Sequence, residues 1–485
     1  MKQKISTIQK MFFWVIVGSF ALAASSCKKS SDNPTLSTGV VKVANPVTPG
    51  NVSGTIKGTF LANSTYTVTG DVVVNKGDTV VFQPGAKIYF SGNYNFFIHG
   101  NLSSVGTKDN PVLFSVLGRT KSTNPNQDPN TDPALQGLWG GLLGDSTTKF
   151  MIIKYTHIEY TGGTIGTAQT YGVSNGSLAP SIKFSNINGI LDVEDSWFYG
   201  CVDGGAAISI KYGKFNVMRN IFEKTGLLGT ECVEAGNGCI GNVAYNLMMA
   251  PCTNGIKVSN GGTLVNDDIS VYNNTILNGG FRRFIYGGAG NSLGRGGSIS
   301  FEKAAQGKIY NNMMVNCRLG LRIVGTGTYS GNALVIADTA HLYYSNNYIY
   351  ADSAVLANQI YPVPFLTKPV AYNIPVPSTF LPSGYTLGTV YDGSLVVGKN
   401  NPQFVNYPLP MDLSKGAYST LAMLDYVGTF DFHLKSTSPA IGKGTTAFTI
   451  TNTGIKIDPN FGATQITPPG VDIGCYQTNG SGLTN

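Results

Sequence analysis

The chain has 485 residues and only 12% of them are charged, against about 25% in an average soluble domain. Its formal net charge of +7 comes without a dense basic face, which argues against nucleic-acid binding. Gly, Asn, Ser and Thr carry the surface instead, a composition that suits an extracellular β architecture.

Residues 1–26 read as an export signal. Lys2, Lys4 and Lys10 precede an apolar stretch at 11–24 that is too short to span a bilayer as a helix. Ala24-Ser25-Ser26-Cys27 resembles a bacterial lipobox, which implies cleavage before Cys27 and lipidation of its thiol. An ordinary secretory signal with a chance cysteine is the alternative. Lys28 to Asn33 loosely resembles the surface-export signals of Bacteroidota lipoproteins. Losing the three leader lysines takes the net charge from +7 to +4. A lipidated Cys27 would be the only membrane contact and would place the protein at the outer membrane or cell surface.

The rest divides into a Ser/Pro/Gly/Asn-rich tether at 27–53, strand-length apolar runs over 54–400 and a closing segment at 401–485. The early runs DVVV (71–74), TVVF (79–82), KIYF (87–90), NFFI (95–98) and PVLF (111–114) are separated by turn residues. No window sustains a helical period, so helix should be scarce.

Six segments are versions of one another: VEDSWFY (193–199), VMRNIFE (217–223), VAYNLMM (243–249), VYNNTIL (271–277), IYNNMMV (309–315) and YSNNYIY (344–350). The fourth position runs Ser196, Asn220, Asn246, Asn274, Asn312, Asn347. A repeat of this kind marks a solenoid whose rung bends at the asparagine. Asn tolerates a left-handed backbone, and its amides can bond from rung to rung.

The Trp139-Gly140-Gly141 segment, the Asn-marked rungs and the tail motifs FVN (404–406), DFHLKSTSPAIGKG (431–444) and DIGCYQ (472–477) together resemble the pectate-lyase-like superfamily. The resemblance implies an all-β fold, a single-stranded right-handed parallel β-helix of ten or more rungs with a C-terminal cap. It does not imply one activity, because that superfamily mixes lyases, hydrolases, binding proteins and adhesins. His433, inside the tail motif, reads as a cap residue.

Phasing the repeat backward places another strand nine to fifteen residues before each segment. Its first outward column runs Lys183, Ser209, Glu234, Lys257, Ser300, Arg322, and its second Ser185, Lys211, Gly236, Ser259, Glu302, Val324. In β-helix lyases and hydrolases this sheet commonly floors the sugar cleft. On that resemblance Lys257, Arg322 and Lys211 are the candidate catalytic residues: a lysine with a depressed pKa takes the C5 proton, and Arg322 steadies the enolate. Lys183, Ser209 and Ser300 would bind substrate, with Arg282, Arg283 and Arg295 from the insertion at 279–297. Glu234 and Glu302 are candidate Ca²⁺ ligands. The alternative is a solvated strand face whose charges prevent aggregation.

Asn266-Asp267-Asp268 is the only paired-aspartate candidate for hydrolysis, and it falls at a turn. Cys201, Cys252 and Cys317 recur in alternate rungs, about 9.6 Å apart, beyond disulfide reach. A bond from Cys232 to Cys239 or Cys252 stays open. The working expectation is a monomeric lipoprotein that binds, or cleaves by β-elimination, an acidic polysaccharide. The alternative from another class is an adhesin displaying loops to a protein partner.

Overall fold

The computed structural model describes residues 44–122, 127–128, 130–166, 176–202, 204–260, 266–280, 282, 298–318, 320–324, 342–352, 396–407, 430–455 and 466–484. The leader, Cys27, Arg283 and Arg295 lie outside the described residues.

One rung shows the plan. Ala206–Lys211 forms face 1, Lys214–Met218 face 2 and Ile221–Thr225 face 3, after which Glu231–Gly236 returns to face 1 one rung on. Face 2 is an 11-stranded parallel sheet. Faces 1 and 3 belong to one 19-stranded sheet because Thr65–Val74 pairs with Lys87–Phe90 through its first half and with Phe96–Ile98 through its second. The fold is therefore the expected all-β parallel solenoid, with a short 3₁₀ segment at Pro133–Leu135.

Pairing begins before the expected tether ends. Pro46–Val47 already pairs with Gly58–Phe60, and Gly50–Thr55 with Thr65–Val74. The polar composition of this stretch suits the first, edge rung, where proline forfeits no interior hydrogen bond.

The asparagine column is a buried ladder. The Oδ1 of Asn246 accepts from both the backbone N–H (2.9 Å) and the side-chain amide (3.0 Å) of Asn220. Asn274, Asn312 and Asn347 repeat this arrangement toward the preceding rung. Each amide also donates to a carbonyl one rung back, as Asn274 does to Val243 at 2.9 Å. The left-handed residue is not the asparagine itself, as the sequence suggested, but the one before it: Asp195, Arg219, Tyr245, Asn273, Asn311 and Asn346 have φ between 47° and 58°. A left-handed residue reverses the chain sharply, and the next amide is then free to turn inward.

Those preceding side chains hold the C-terminal segment. Arg219 donates to Thr467, Tyr245 to the Pro468 carbonyl, Asn273 to that of Asp472, Asn311 to that of Thr445 and Asn346 to that of Lys443. Thr451 bonds Ser270 on face 2 and accepts from Asn242 through its carbonyl. On face 3 the outward column Ile221, Leu247, Thr275, Met313, Tyr348 packs under Phe404, Phe432, Ile473, Tyr476 and Leu483. The closing segment is thus more than the end plug expected of a cap. It runs back along the rungs until Lys108 Nζ donates to the Thr484 carbonyl at 2.6 Å. A sequence signal for this existed: LMM, MMV and YIY after the asparagines are apolar at consecutive positions, so both sides of those strands must be covered.

All six cysteines described are buried and unbonded to one another, so the Cys232 pairing left open by the sequence does not form. Asp267 is buried and accepts from the Gly238 and Cys239 N–H groups, a turn-forming role rather than a hydrolytic one.

Asn274→Ala should cost roughly 3–5 kcal/mol, because it strands the Asn246 N–H and amide and the Val243 carbonyl in a buried site. Asn51→Ala, at an exposed position, should stay within about 0.5 kcal/mol. Denaturant midpoints compare the two; equal midpoints would mean that the ladder is dispensable.

Candidate functional site

Alternation along face 1 sends every second side chain outward, and the register puts these in one line. Val73, Phe97, Leu143, Lys183, Ser209, Glu234, Lys257, Ser300 and Arg322 are successive Cα partners. The column read from the sequence is therefore present in the pairing. It extends toward the N-terminus as an apolar strip, on which Ile165 and Ala179 pack. Lys183 stands where that strip ends, only 5% exposed.

The C-terminal half of the column is neutralised internally. Lys257 Nζ lies 2.8 Å from Glu234 and 3.7 Å from Glu231. These carboxylates hold the ammonium above its ordinary pKa despite its burial. This pairing favours the ammonium form of Lys257, whereas the expected role in proton abstraction calls for a depressed pKa. Glu231 itself is pushed up to about 7, chiefly by burial. Arg322 Nη1 pairs with Glu302 at 2.6 Å and donates to Ser300 at 2.8 Å. Ser300 is fully buried and Arg322 nearly so. Both therefore build the wall rather than face a substrate. Glu302 is held below its usual range, chiefly by Arg322 and Lys257, which outweigh its burial. Glu234 and Glu302, the expected Ca²⁺ ligands, are each engaged by a cation of this face. Among the described residues no group of three His, Cys, Asp or Glu side chains is placed to hold a metal.

Arg282 also departs from expectation. It is buried and donates to the carbonyls of Thr225 and Ala250, so it pins the end of face 3 instead of lining a groove.

The other end of the column differs. Lys211 is exposed, and among the described residues no acid pairs with it. Lys183 is lowered to about 8 by burial first and by the charge of Lys211 second. These two lysines lie on adjacent rungs, and Ser209, the Cα partner of Lys183 in the first column, is half-buried.

Sequence reading missed a second pair on this face. His99 Nδ1 lies 2.7 Å from Asp145 Oδ2, and Asp145 also accepts from the N–H and hydroxyl of Thr147 at 2.8 and 2.7 Å. These contacts hold the Asp145 carboxyl below its ordinary pKa against the opposing effect of burial. A lone histidine outside the marked rungs gave no spacing signal.

Two outcomes follow. The Lys183 cation is disfavoured in the fold and unperturbed in the unfolded chain, so below pH 8 it weakens the protein. Between about 8 and 10.5 the unfolded state holds more protons and stability recovers. Lys183→Met should therefore stabilise by about 1–2 kcal/mol at pH 7, a figure discounted for solvent screening, with the gain vanishing toward pH 10.5 in thermal scans. A pH-independent difference would assign the gain to packing. Glu302→Gln, by leaving the Arg322 charge buried without its partner, should cost about 3–5 kcal/mol. Glu234→Gln at its more open site should cost under about 1 kcal/mol. Equal losses in chemical denaturation would contradict that contrast.

No family model matches the chain, and no curated protein or solved structure matches it.

Proposed function

We propose that this protein is an exported, lipid-anchored β-helix, a divergent relative of the pectate-lyase-like superfamily, that captures an acidic polysaccharide along face 1. One observation carries the reading. Lys183 and Lys211 occupy neighbouring outward positions on face 1, and Lys211 is exposed with no acid paired to it among the described residues. A regular stack with a pitch of about 4.8 Å offers an extended polymer repeated contacts along its length. Carboxylates or sulfates supply the charge that lysines seek. Capture is favoured over cleavage because Lys257 is held protonated and Arg322 is buried. A β-elimination on this face would have to draw its base from Lys183, the lysine whose neutral form is accessible near pH 8.

The test uses the purified full-length chain against pectate, alginate, chondroitin sulfate, heparin and neutral glycans, with and without Ca²⁺. Binding and the ultraviolet absorbance of unsaturated uronates are followed together. The expected result is salt-sensitive binding of an acidic glycan without product, weakened roughly tenfold in Lys211→Ala. Product that disappears in Lys183→Met but survives in Lys257→Ala would convert the reading to a lyase. Failure of the folded chain to bind any glycan would overturn it in favour of an adhesin that displays loops.

A further inference from the structure

The turn from face 1 to face 2 is built twice in consecutive rungs with different residues. In one rung Asn237 and Gly238 make it, with φ of 59° and 93°. In the rung before, Tyr212 and Gly213 make the same turn, with φ of 67° and 80°. Asparagine enters the left-handed region at little cost, whereas a bulky residue there is strained by roughly 1–3 kcal/mol. The glycine is required, because a Cβ on Gly213 would sit 2.3 Å from the Asn186 carbonyl. The tyrosine is not. The residue is 36% exposed, so little burial offsets the strain, and no described group hydrogen-bonds its hydroxyl.

The surroundings supply a reason. Tyr212 edges an open depression also lined by Ser146, Ser185, Asn186, Ile187 and Asn188. Ile187 is 55% exposed, Asn188 and Ser146 are exposed too, and the solvent-facing Lys211 and Lys214 flank the tyrosine in sequence. An aromatic ring and an aliphatic side chain beside amides and hydroxyls, at a turn flanked in sequence by two exposed lysines, match the apolar ring face, hydroxyls and acidic substituent of one sugar unit.

We propose that Tyr212 is the stacking platform of an anionic-sugar subsite at the face 1 to face 2 turn, with Lys211 and Lys214 holding the sugar's carboxylate or sulfate. The proposal rests on the capture function of face 1 and deepens it, because it fixes where along the stack the glycan is gripped and extends the contact around the corner. Ser185 and Lys211 lie at the outer edge of face 1, so a chain crossing Lys183 enters the depression directly.

The experiment measures binding of oligogalacturonate, alginate, chondroitin sulfate and heparin oligosaccharides to the full chain and to Tyr212→Asn and Tyr212→Phe, with neutral oligosaccharides as controls. Tyr212→Asn installs the residue used in the next rung, so its unfolding midpoint should equal or exceed that of the parent. Its affinity for the bound acidic oligosaccharide should fall at least about tenfold, while Tyr212→Phe stays within about twofold. Equal binding by Tyr212→Asn and the parent would overturn the subsite and leave the capture function standing. No acidic oligosaccharide bound by the parent would overturn both. A Tyr212→Asn chain that is less stable than the parent would also count against the proposal, because it would give the tyrosine a structural role.

Discussion

A column of buried amides decides what else this molecule can be. Asparagine placed at one corner of five successive rungs, Asn220 to Asn347, bonds to its neighbours in the column and to the backbone, so each of these rungs fixes the height and rotation of the next. An amide has two donors and an acceptor oxygen with two lone pairs, and here they meet partners in a place water does not reach. A rung shifted by one residue would bury unmet groups, which makes slippage far more costly than in a flat sheet. Register on all three faces descends from this corner. The outward columns of face 1 are straight because the corner is.

The corner also explains why the faces differ. The left-handed residue just before each asparagine throws its side chain away from the core, and those side chains bind the returning C-terminal segment. Faces 2 and 3 are thereby occupied by the protein's own chain. Face 3 is apolar on its outer surface through the C-terminal rungs, where that segment packs, while nearer the N-terminus Tyr199 accepts from the Ser122 N–H and Lys224 pairs with Asp132 at 2.5 Å. Face 1 keeps charged groups in its outward columns, with Lys211 exposed. Where a ligand would sit is thus set partly by where the chain covers itself.

The sequence revealed the period, the rung and the outward columns, because each depends on alternation and spacing along a short stretch. It did not reveal what charges do once stacked. Glu231 lies outside the marked columns, yet it comes within 3.7 Å of Lys257 and helps to hold that lysine protonated. Lys183 is tuned the other way by burial and by Lys211, a neighbour 28 residues distant in the chain that is adjacent only in the stack. The candidate base and the candidate binding lysine therefore exchange character. Arg282 followed the same pattern: its place in an insertion suggested a wall, while the carbonyls that claim it belong to two other rungs. Tyr212 was invisible for a different reason, since strain is a property of φ and not of composition.

The path of the C-terminal segment bears on how the chain reaches its native state. A solenoid whose rungs touch only their neighbours can be completed progressively as the polypeptide emerges. Here Lys108 meets Thr484 across 376 residues of sequence, and the apolar surface over Ile221, Leu247 and Met313 is closed by residues made near the end. The rungs from Ile221 to Tyr348 must therefore wait, apolar side outward, for the rest of the polypeptide to be delivered. Synthesis from the N-terminus imposes such a delay on every molecule. These rungs would need a holding chaperone for that interval, and a nascent chain stalled near residue 430 would be an aggregation hazard rather than a shorter working protein.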